Sequence, residues 1–138
     1  MLLTRKTEFS ASHFCFNSSL PESRNLELFG SSANRHGHGH NFVVEVTLRG
    51  DPDPVTGMVF DLKSLKDILN REVVDRFDHR FLNHECPPFD RVIPTTENLA
   101  IEIWNSVAPR VNSSGVSLHA VRVYETPELY VDYLGAGL

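Results

Sequence analysis

The clearest structural signal in the sequence lies at residues 38–49, which read HGHNFVVEVTLR. From His40 onward the odd positions are mostly polar. The even positions are apolar: Phe42, Val44, Val46 and Leu48. An alternation with a period of two is typical of a strand with one buried face. We therefore predict a strand over residues 40–49. His40 shares its apolar face, and so does His38 if the strand starts early.

A second strand is predicted near the N-terminus, over residues 3–15. Phe9, Ala11 and His13 share one side of it, and polar residues such as Glu8 and Ser10 occupy the other. This alternation places His13 on the inner face. Cys15 has the same parity as His13, so its thiol is expected either in the same cavity or as a small buried group.

Two amphipathic helices follow. Asp61 is a plausible N-cap for a helix that runs to about residue 76. A second helix begins at Thr95-Thr96-Glu97, where a threonine cap and an acid suit the positive helix end, and it ends near Pro109. Their apolar stripes contain Leu62, Leu65, Ile68, Leu69 and Val73 in the first helix, and Leu99, Ile103 and Val107 in the second.

Two further strands are predicted at residues 116–125 and around residues 129–133. Aperiodic segments occupy residues 14–37, with a possible helical turn near residues 25–29, and residues 77–94. The predicted order is β-β-α-α-β-β. This order indicates an α+β fold in which an antiparallel four-stranded sheet carries both helices on one face. We interpret residues 1–138 as a single domain.

Composition narrows the function classes. The formal net charge of −5 argues against a broad basic face for nucleic acid. No apolar run is long enough to span a bilayer, and the first residues do not resemble a secretory signal. The two cysteines, Cys15 and Cys86, are expected to be free thiols in a reduced, cytoplasmic protein.

The histidines suggest a metal site. His38 and His40 are two residues apart and project from the same side of a strand, and His13 lies on the inward face of the neighbouring strand. Three neutral imidazoles that converge from two strands match a catalytic zinc site with an open fourth position. His36 has the same parity and is a weaker candidate ligand. The alternatives are a surface tract of histidines and a metal-storage protein.

Two acidic positions suggest acid–base or binding chemistry. Asp78 directly precedes His79, and a carboxylate beside an imidazole can fix its tautomer and raise its basicity, although a solvated loop pair is the simpler interpretation. Glu125 continues the apolar face of the third strand, where a carboxylate needs a partner such as a ligand with several N–H donors. Fraying of the strand into solvent is the alternative.

A family resemblance rests on six motifs in a fixed order between residues 9 and 126. They are Phe9-Ser10-Ala11-Ser12-His13, His38-Gly39-His40-Asn41, Gly57-Met58-Val59-Phe60-Asp61, Asp78-His79, Thr95-Thr96-Glu97-Asn98 and Tyr124-Glu125-Thr126. Together they resemble the 6-pyruvoyl-tetrahydropterin synthase family, which includes the 6-carboxy-tetrahydropterin synthases of queuosine biosynthesis.

The resemblance implies a tunnelling fold (T-fold) and a homo-oligomer. Three subunits of such proteins close their sheets into a barrel, two trimers stack into a hexamer, and the active sites lie between subunits. The resemblance also assigns roles to residues of this chain. His13, His38 and His40 would bind Zn²⁺, and Glu125 would anchor the pterin ring. Asp78 and His79 would belong to the proton-transfer machinery, and Thr95 and Thr96 would lie near the pterin pocket.

The activity implied by the resemblance is that of a lyase. Its substrate would be 7,8-dihydroneopterin triphosphate. Zinc would acidify bonds near the substrate hydroxyls as a Lewis acid, a positioned base would move protons, and triphosphate would leave by elimination. The pathway, whether tetrahydrobiopterin, queuosine or folate, is left open by the sequence.

The sequence departs from the family pattern in the loop before the zinc pair. The family's catalytic thiol would fall at Ser32 by one spacing and at Asn34 by another. An alcohol is a far weaker acid than a thiol and needs a strong adjacent base. Three explanations are open: His79 with Asp78 carries both proton transfers, Cys15 supplies the thiol, or the protein is a diverged or non-catalytic pterin-binding paralogue. A glutamate at the thiol position, as in some relatives, is not found here.

Overall fold

The protein is described here by a computed structural model that covers residues 1–136. It contains one five-stranded sheet with the order β3-β1-β2-β4-β5. All neighbouring strands are antiparallel except β1 and β3. In chain order the strands are β1 (Leu2–His13), β2 (His38–Gly50), β3 (Arg80–Phe81), β4 (Val116–Thr126) and β5 (Leu129–Tyr133).

The helices lie on one face of the sheet and enclose the core between them and the strands. In chain order they are α1 (Glu22–Phe29), α2 (Leu62–Leu69), α3 (Asp75–Phe77), α4 (Leu82–Glu85) and α5 (Thr96–Val111). A 3₁₀ turn (Gly30–Ala33) follows α1, and a π-helical turn (Asn70–Val74) joins α2 to α3. The predicted α+β architecture, with four main strands and two main helices on one face, is confirmed.

The long pairing of β1 with β2 positions the histidines. Residues from Leu2 to His13 pair in continuous antiparallel register with residues from Arg49 to His38, so that His13 lies directly opposite His38. Phe9, Ala11 and His13 are buried, as the alternation predicts. The inner face of the sheet therefore carries apolar side chains along most of its length and imidazoles at one end.

Side-chain caps at Asp61 and Thr95 determine where α2 and α5 begin. The carboxylate of Asp61 accepts hydrogen bonds from the backbone N–H and the hydroxyl of Ser64, and the hydroxyl of Thr95 accepts one from the N–H of Asn98. The apolar faces of both helices then pack against the sheet. The core includes Phe9, Phe42, Val44, Val46, Leu65, Leu69, Phe77, Leu99, Ile103, Val107, Val121 and Val123. Burial of these side chains is the main favourable contribution to folding.

The structure refines several predicted boundaries. The predicted helix at residues 61–76 is split by the π-helical turn, which adds a residue to one turn and keeps Val73 and Phe77 buried alongside Leu69. Helix α5 continues past Pro109 to Val111, whose side chain is buried. The segment at residues 77–94, predicted as a loop, contains β3 and α4, which are too short to give a periodic pattern.

Two further sequence expectations concern membrane-spanning segments and the cysteines. Among residues 1–136, none of the helices combines the length and apolar character that crossing a membrane requires. Cys15 and Cys86 are both buried free thiols.

Candidate metal centre

Three imidazoles converge at the end of the β1–β2 pair. The ring centroids of His13, His38 and His40 lie 4.7 to 5.2 Å from one another. One nitrogen from each ring, together with one carboxylate oxygen of Glu125, falls within a group whose atoms all lie within 4.8 Å of one another. The predicted convergence of the three histidines is therefore present in the fold. His36 is exposed and is not a member of this group.

A hydrogen bond to the backbone fixes the orientation of the His13 ring. Its Nδ1–H donates to the backbone carbonyl of Pro94 at 2.7 Å, and the side chain is only 1% exposed. With Nδ1 carrying the proton, Nε2 presents a lone pair toward the other imidazoles. The Pro94 carbonyl belongs to the backbone, so no side-chain signal in the sequence indicates its role.

The chemistry of these atoms fits a metal ion. Within residues 1–136, the buried Nε2 atoms of His13 and His40 have no hydrogen-bond partner. Burial lowers the pKa of His38 and of His40 below the usual value of 6.5, so both rings are neutral at pH 7. Neutral imidazoles with inward lone pairs are the ligands that zinc prefers.

Glu125 lies on β4 beside the imidazoles. Its Oε1 is 2.9 Å from Nε2 of His40 and 3.7 Å from Nε2 of His13, and its Oε2 accepts a hydrogen bond of 2.8 Å from the hydroxyl of Thr96. The pKa of Glu125 is lowered to about 2. The largest cause is the contact with His13, and the Thr96 hydroxyl and the nearby His40 add to it, whereas burial opposes the shift. The carboxylate is therefore partnered, and the strand does not fray at this position.

A cavity of about 260 Å³ adjoins Glu125 and His13. Thr95 and Thr96 line it from the start of α5, and Cys15 and Ser32 line it from the opposite segment. The other lining residues are Leu28, Phe29, Glu97, Leu129 and Val131. The cavity thus combines polar groups that could bind a ring edge with apolar walls that could contact its faces.

Ser32 and Asn34, the two residues at which the family pattern would place the catalytic thiol, lie beside different cavities. Ser32 lines the cavity beside Glu125, and its carbonyl accepts the backbone N–H of Cys15 at 2.8 Å, whereas Asn34 is exposed and borders a different cavity. Burial raises the pKa of the Cys15 thiol to about 11, and the charges of Glu125 and Glu97 add to this effect. The thiol therefore shares the cavity but is protonated at neutral pH.

Asp78 and His79 form the predicted pair at a separate place. Asp78 Oδ2 lies 2.9 Å from Nδ1 of His79, while Oδ1 accepts the backbone N–H of Ser10 at 2.9 Å. The backbone N–H of His79 in turn donates to the carbonyl of Ser10. His79 has a φ of 61°, a left-handed conformation that a residue with a side chain adopts at some cost and that is often found at functional sites.

The structure does not bring His79 into the cavity beside Glu125. The His79 side chain is 83% exposed and lines a second cavity of about 500 Å³. Ser10, His40 and Asn41 also line that cavity. The positions of Ser10 and Asn41 alternate with those of the inward imidazoles, so their side chains lie on the other face of the sheet. Of the predicted site residues, the histidine trio, Glu125, Thr95 and Thr96 are assembled within one chain, and the Asp78–His79 pair is not.

Comparison with known proteins places the chain in a family. Residues 2–136 match the family model described as 6-pyruvoyl tetrahydropterin synthase. Proteins named 6-pyruvoyl tetrahydrobiopterin synthase from Homo sapiens and Drosophila melanogaster are 42% and 39% identical over 133 residues, which is 96% of this chain and 90% and 79% of theirs. The solved structure of Caenorhabditis elegans 6-pyruvoyl tetrahydropterin synthase superposes with a TM-score of 0.92 at 36% identity, and covers 99% of this chain and 96% of that one. The chain therefore belongs to the 6-pyruvoyl tetrahydropterin synthase family.

Proposed function

We propose that this chain is a zinc-dependent lyase that acts on 7,8-dihydroneopterin triphosphate and eliminates triphosphate. The observation that carries the proposal is the convergence of three imidazoles and Glu125 beside a cavity of about 260 Å³. Its volume lies just below the range of about 300–1,000 Å³ that is typical of small-molecule pockets. Membership of the family supports a pterin as the substrate.

In this proposal His13, His38 and His40 hold the metal ion. The hydrogen bond from Nδ1–H of His13 to the Pro94 carbonyl leaves Nε2 as the nitrogen available to the metal and holds the ring in place. A bound zinc ion supplies Lewis acidity to the hydroxylated side chain of the substrate. Burial lowers the pKa of His38 and of His40, so protons compete less with the metal ion for these two rings at pH 7.

Glu125 anchors the pterin ring. An ionised carboxylate accepts two parallel hydrogen bonds from the guanidine-like N–H groups of such a ring, which fixes both position and orientation. The Thr96 hydroxyl holds one oxygen of Glu125, and Thr95 lines the cavity near it.

The base in this proposal is His79. Asp78 accepts a hydrogen bond from Nδ1 of His79, so that Nε2 is free to take a proton. Because His79 is exposed and lies away from the Glu125 cavity, it acts on the site of a neighbouring copy in a homotrimer or hexamer. Strand β5 forms one edge of the sheet, and on the other side β1 pairs with β3 only at Ala11 and Ser12. Both sides of the sheet therefore offer unpaired backbone groups to a strand of another copy, which supports pairing between copies. Light scattering tests this assembly, which a monomer in solution contradicts.

The two free thiols support a location in a reducing compartment, and we propose the cytoplasm. Fractionation of cells that express the tagged protein tests this part of the proposal.

A second candidate function is a pterin-binding paralogue that does not catalyse this reaction. The observation in its favour is Ser32, which lines the cavity where the family pattern places a thiol. Such a protein binds a pterin tightly and releases no triphosphate. A 6-carboxy-tetrahydropterin synthase of queuosine biosynthesis is the related alternative, and it differs in its products.

One experiment separates these functions. The zinc-loaded protein is incubated with 7,8-dihydroneopterin triphosphate, and triphosphate, acetaldehyde and the pterin products are measured. Triphosphate release without acetaldehyde supports the lyase, release of acetaldehyde supports the carboxy-forming alternative, and binding without turnover supports the paralogue.

Variants identify the proton-transfer group. His79→Ala abolishes turnover if His79 is the sole base, whereas Cys15→Ala abolishes it if the thiol is the base. His84→Ala removes another exposed imidazole from the same segment and serves as the matched control. If Cys15→Ala is inactive and His79→Ala is active, the assignment of the base to His79 is wrong.

A further inference from the structure

A cavity of about 440 Å³ lies between residues 14–18 and residues 83–93. Phe14 and Phe16 line it, whereas Cys15 between them lines the cavity beside the imidazoles, and the two cavities share no lining residue. Its volume falls within the range of about 300–1,000 Å³ that is typical of small-molecule sites. The cavity is therefore large enough for a small molecule and is separate from the candidate metal centre.

The two walls of this cavity are joined by Asn83. Its side-chain oxygen accepts the backbone N–H of Phe14 at 2.9 Å, and its side-chain amide donates to the carbonyl of Phe14 at 3.0 Å. Phe89, which also lines the cavity, is only 2% exposed and belongs to the hydrophobic core. Because these contacts hold both walls to the body of the protein, the cavity is formed before any ligand binds.

Arg35 brings a positive charge without a partner to the cavity. Its Cζ lies 3.9 Å from the centroid of the Phe16 ring. Within residues 1–136, Arg35 forms no ion pair with a carboxylate, although Glu22 lines an adjoining cavity with it. A guanidinium that lies over a ring face keeps its N–H groups available, and their fork geometry matches two oxygens of a phosphate.

Arg91 adds a second positive charge. Its Nε is 3.7 Å from Oδ1 of Asp90, which is too long for a hydrogen bond, and the Arg91 side chain is 76% exposed. Asp90 is the one acidic residue among those that line the cavity in the described part of the chain, and His84 lines it with an exposed imidazole. This basic cavity stands out in a chain whose formal net charge is −5, and a local excess of positive charge attracts anions.

Aromatic side chains form much of the remaining surface. The rings of Phe14 and His84 have centroids 5.9 Å apart, and Phe16 carries Arg35 on its face. Flat heterocyclic rings stack on aromatic side chains and on guanidinium planes. Aromatic walls beside two arginines match a ligand that has both a flat ring and an anionic group.

We propose that the cavity between residues 14–18 and 83–93 binds a phosphate ester that carries a flat heterocyclic ring, as nucleotides do. Arg35 and Arg91 bind the phosphate, and the rings of Phe14 and His84 contact the heterocycle. This inference does not depend on the proposed function, because the residues that carry it lie outside the metal centre and the cavity beside it.

Calorimetric titration of the full-length protein tests the proposal. The probes are adenosine monophosphate and guanosine monophosphate, which combine a ring with a phosphate. Adenosine supplies a ring alone, and inorganic phosphate supplies the anion alone. We expect at least one of the two nucleotides to bind about tenfold or more tightly than both adenosine and inorganic phosphate, which corresponds to at least about 1.4 kcal/mol. Equal affinity for a nucleotide and for either fragment would overturn the proposal, and so would no binding of either nucleotide.

Two charge-removing variants locate the binding site. Arg35→Gln and Arg91→Gln should each weaken nucleotide binding about tenfold or more. Arg71→Gln is the matched control, because Arg71 is an exposed arginine that does not line the cavity, and it should bind as the wild type does. Thermal unfolding of all three variants checks that each is folded. Wild-type affinity in both Arg35→Gln and Arg91→Gln would overturn the assignment.

A competition experiment separates this site from the one in the proposed function. Saturation of the protein with 6-methyl-7,8-dihydropterin should leave the nucleotide affinity unchanged, since the two cavities share no lining residue. Displacement of the nucleotide by this pterin would place both ligands in one cavity and overturn the inference, while the metal-dependent function would stand. Loss of metal or of turnover would overturn the proposed function without affecting nucleotide binding.

Discussion

The hydroxyl of Thr96 donates a hydrogen bond of 2.8 Å to Oε2 of Glu125, and this contact joins the first turn of α5 to the end of β4. Thr96 is only 4% exposed, so the contact is shielded from water. The residue that precedes this turn, Pro94, accepts the hydrogen bond from His13. The start of α5 therefore positions both His13, a proposed metal ligand, and Glu125, the proposed ring anchor.

We expect Thr96→Val to weaken pterin binding about tenfold or more. A hydrogen bond to a charged group contributes about 1.5–3 kcal/mol, and valine keeps the shape while losing the donor. Thr96→Ser keeps the hydroxyl and should bind nearly as well as the wild type. Calorimetric titration with 6-methyl-7,8-dihydropterin measures both, and equal weakening in the two variants would assign the loss to packing.

His38→Ala should reduce bound zinc from one ion per chain to a small fraction. In the proposed site, two imidazoles would hold the metal less tightly than three. His36→Ala removes an exposed imidazole two residues away and should keep full stoichiometry. Elemental analysis of the dialysed proteins checks this, and one zinc per chain in His38→Ala would refute the ligand assignment.

Asn25→Ala should lower the free energy of unfolding by about 2 kcal/mol. The Asn25 side chain is fully buried, accepts the backbone N–H of Asn17, and donates to the carbonyls of Asn17, Leu20 and Pro21. Its removal leaves these groups unsatisfied.

Denaturant titration measures this loss. Asn105→Ala, at an exposed position of α5, is the control and should change stability by less than about 0.5 kcal/mol. A similar small change in Asn25→Ala would mean that water replaces the lost hydrogen bonds.

Asp78→Asn should reduce stability at neutral pH but not in strong acid. The Ser10 N–H, followed by His79, lowers the pKa of Asp78 below its ordinary value of 3.8. A carboxylate with a lowered folded-state pKa stabilises the fold above pH 3.8, and this contribution is lost as the pH falls through the lowered pKa.

Urea titrations of wild type and Asp78→Asn between neutral pH and strong acid give this difference directly. The difference in unfolding free energy between the two proteins should become smaller as the pH falls below 3.8, the ordinary pKa of the Asp78 carboxyl group. A gap that stays constant over the whole range would show that the charge of Asp78 does not stabilise the fold.

Local periodicity predicted most of the fold because it depends on neighbours in the sequence. The alternation in β1 and β2 correctly placed Phe9, Phe42 and the three imidazoles on the buried face. The elements β3 and α4 escaped prediction because two and four residues are too few to establish a period. The π-helical turn was also missed, since one extra residue in a turn leaves no distinct pattern.

The candidate site was predictable where side chains of known chemistry share a strand, and not where its geometry depends on distant segments. The spacing of His38 and His40 predicted their convergence with His13. The alternation of the third predicted strand also placed Glu125 on the inner face, whereas the bulge at this residue depends on how β4 pairs with β5, which the sequence does not specify. The placement of His79 away from Glu125 likewise follows from the parallel pairing of β3 with β1.

The continuous pairing from Leu2–Arg49 to His13–His38 limits how sequences of this kind can vary in length. Deletion of one residue inside either strand would shift every later side chain to the opposite face and separate His13 from His38 and His40. Insertions and deletions among homologous chains should therefore concentrate in the connecting segments, such as residues 14–21 and 51–60, and leave both strands intact.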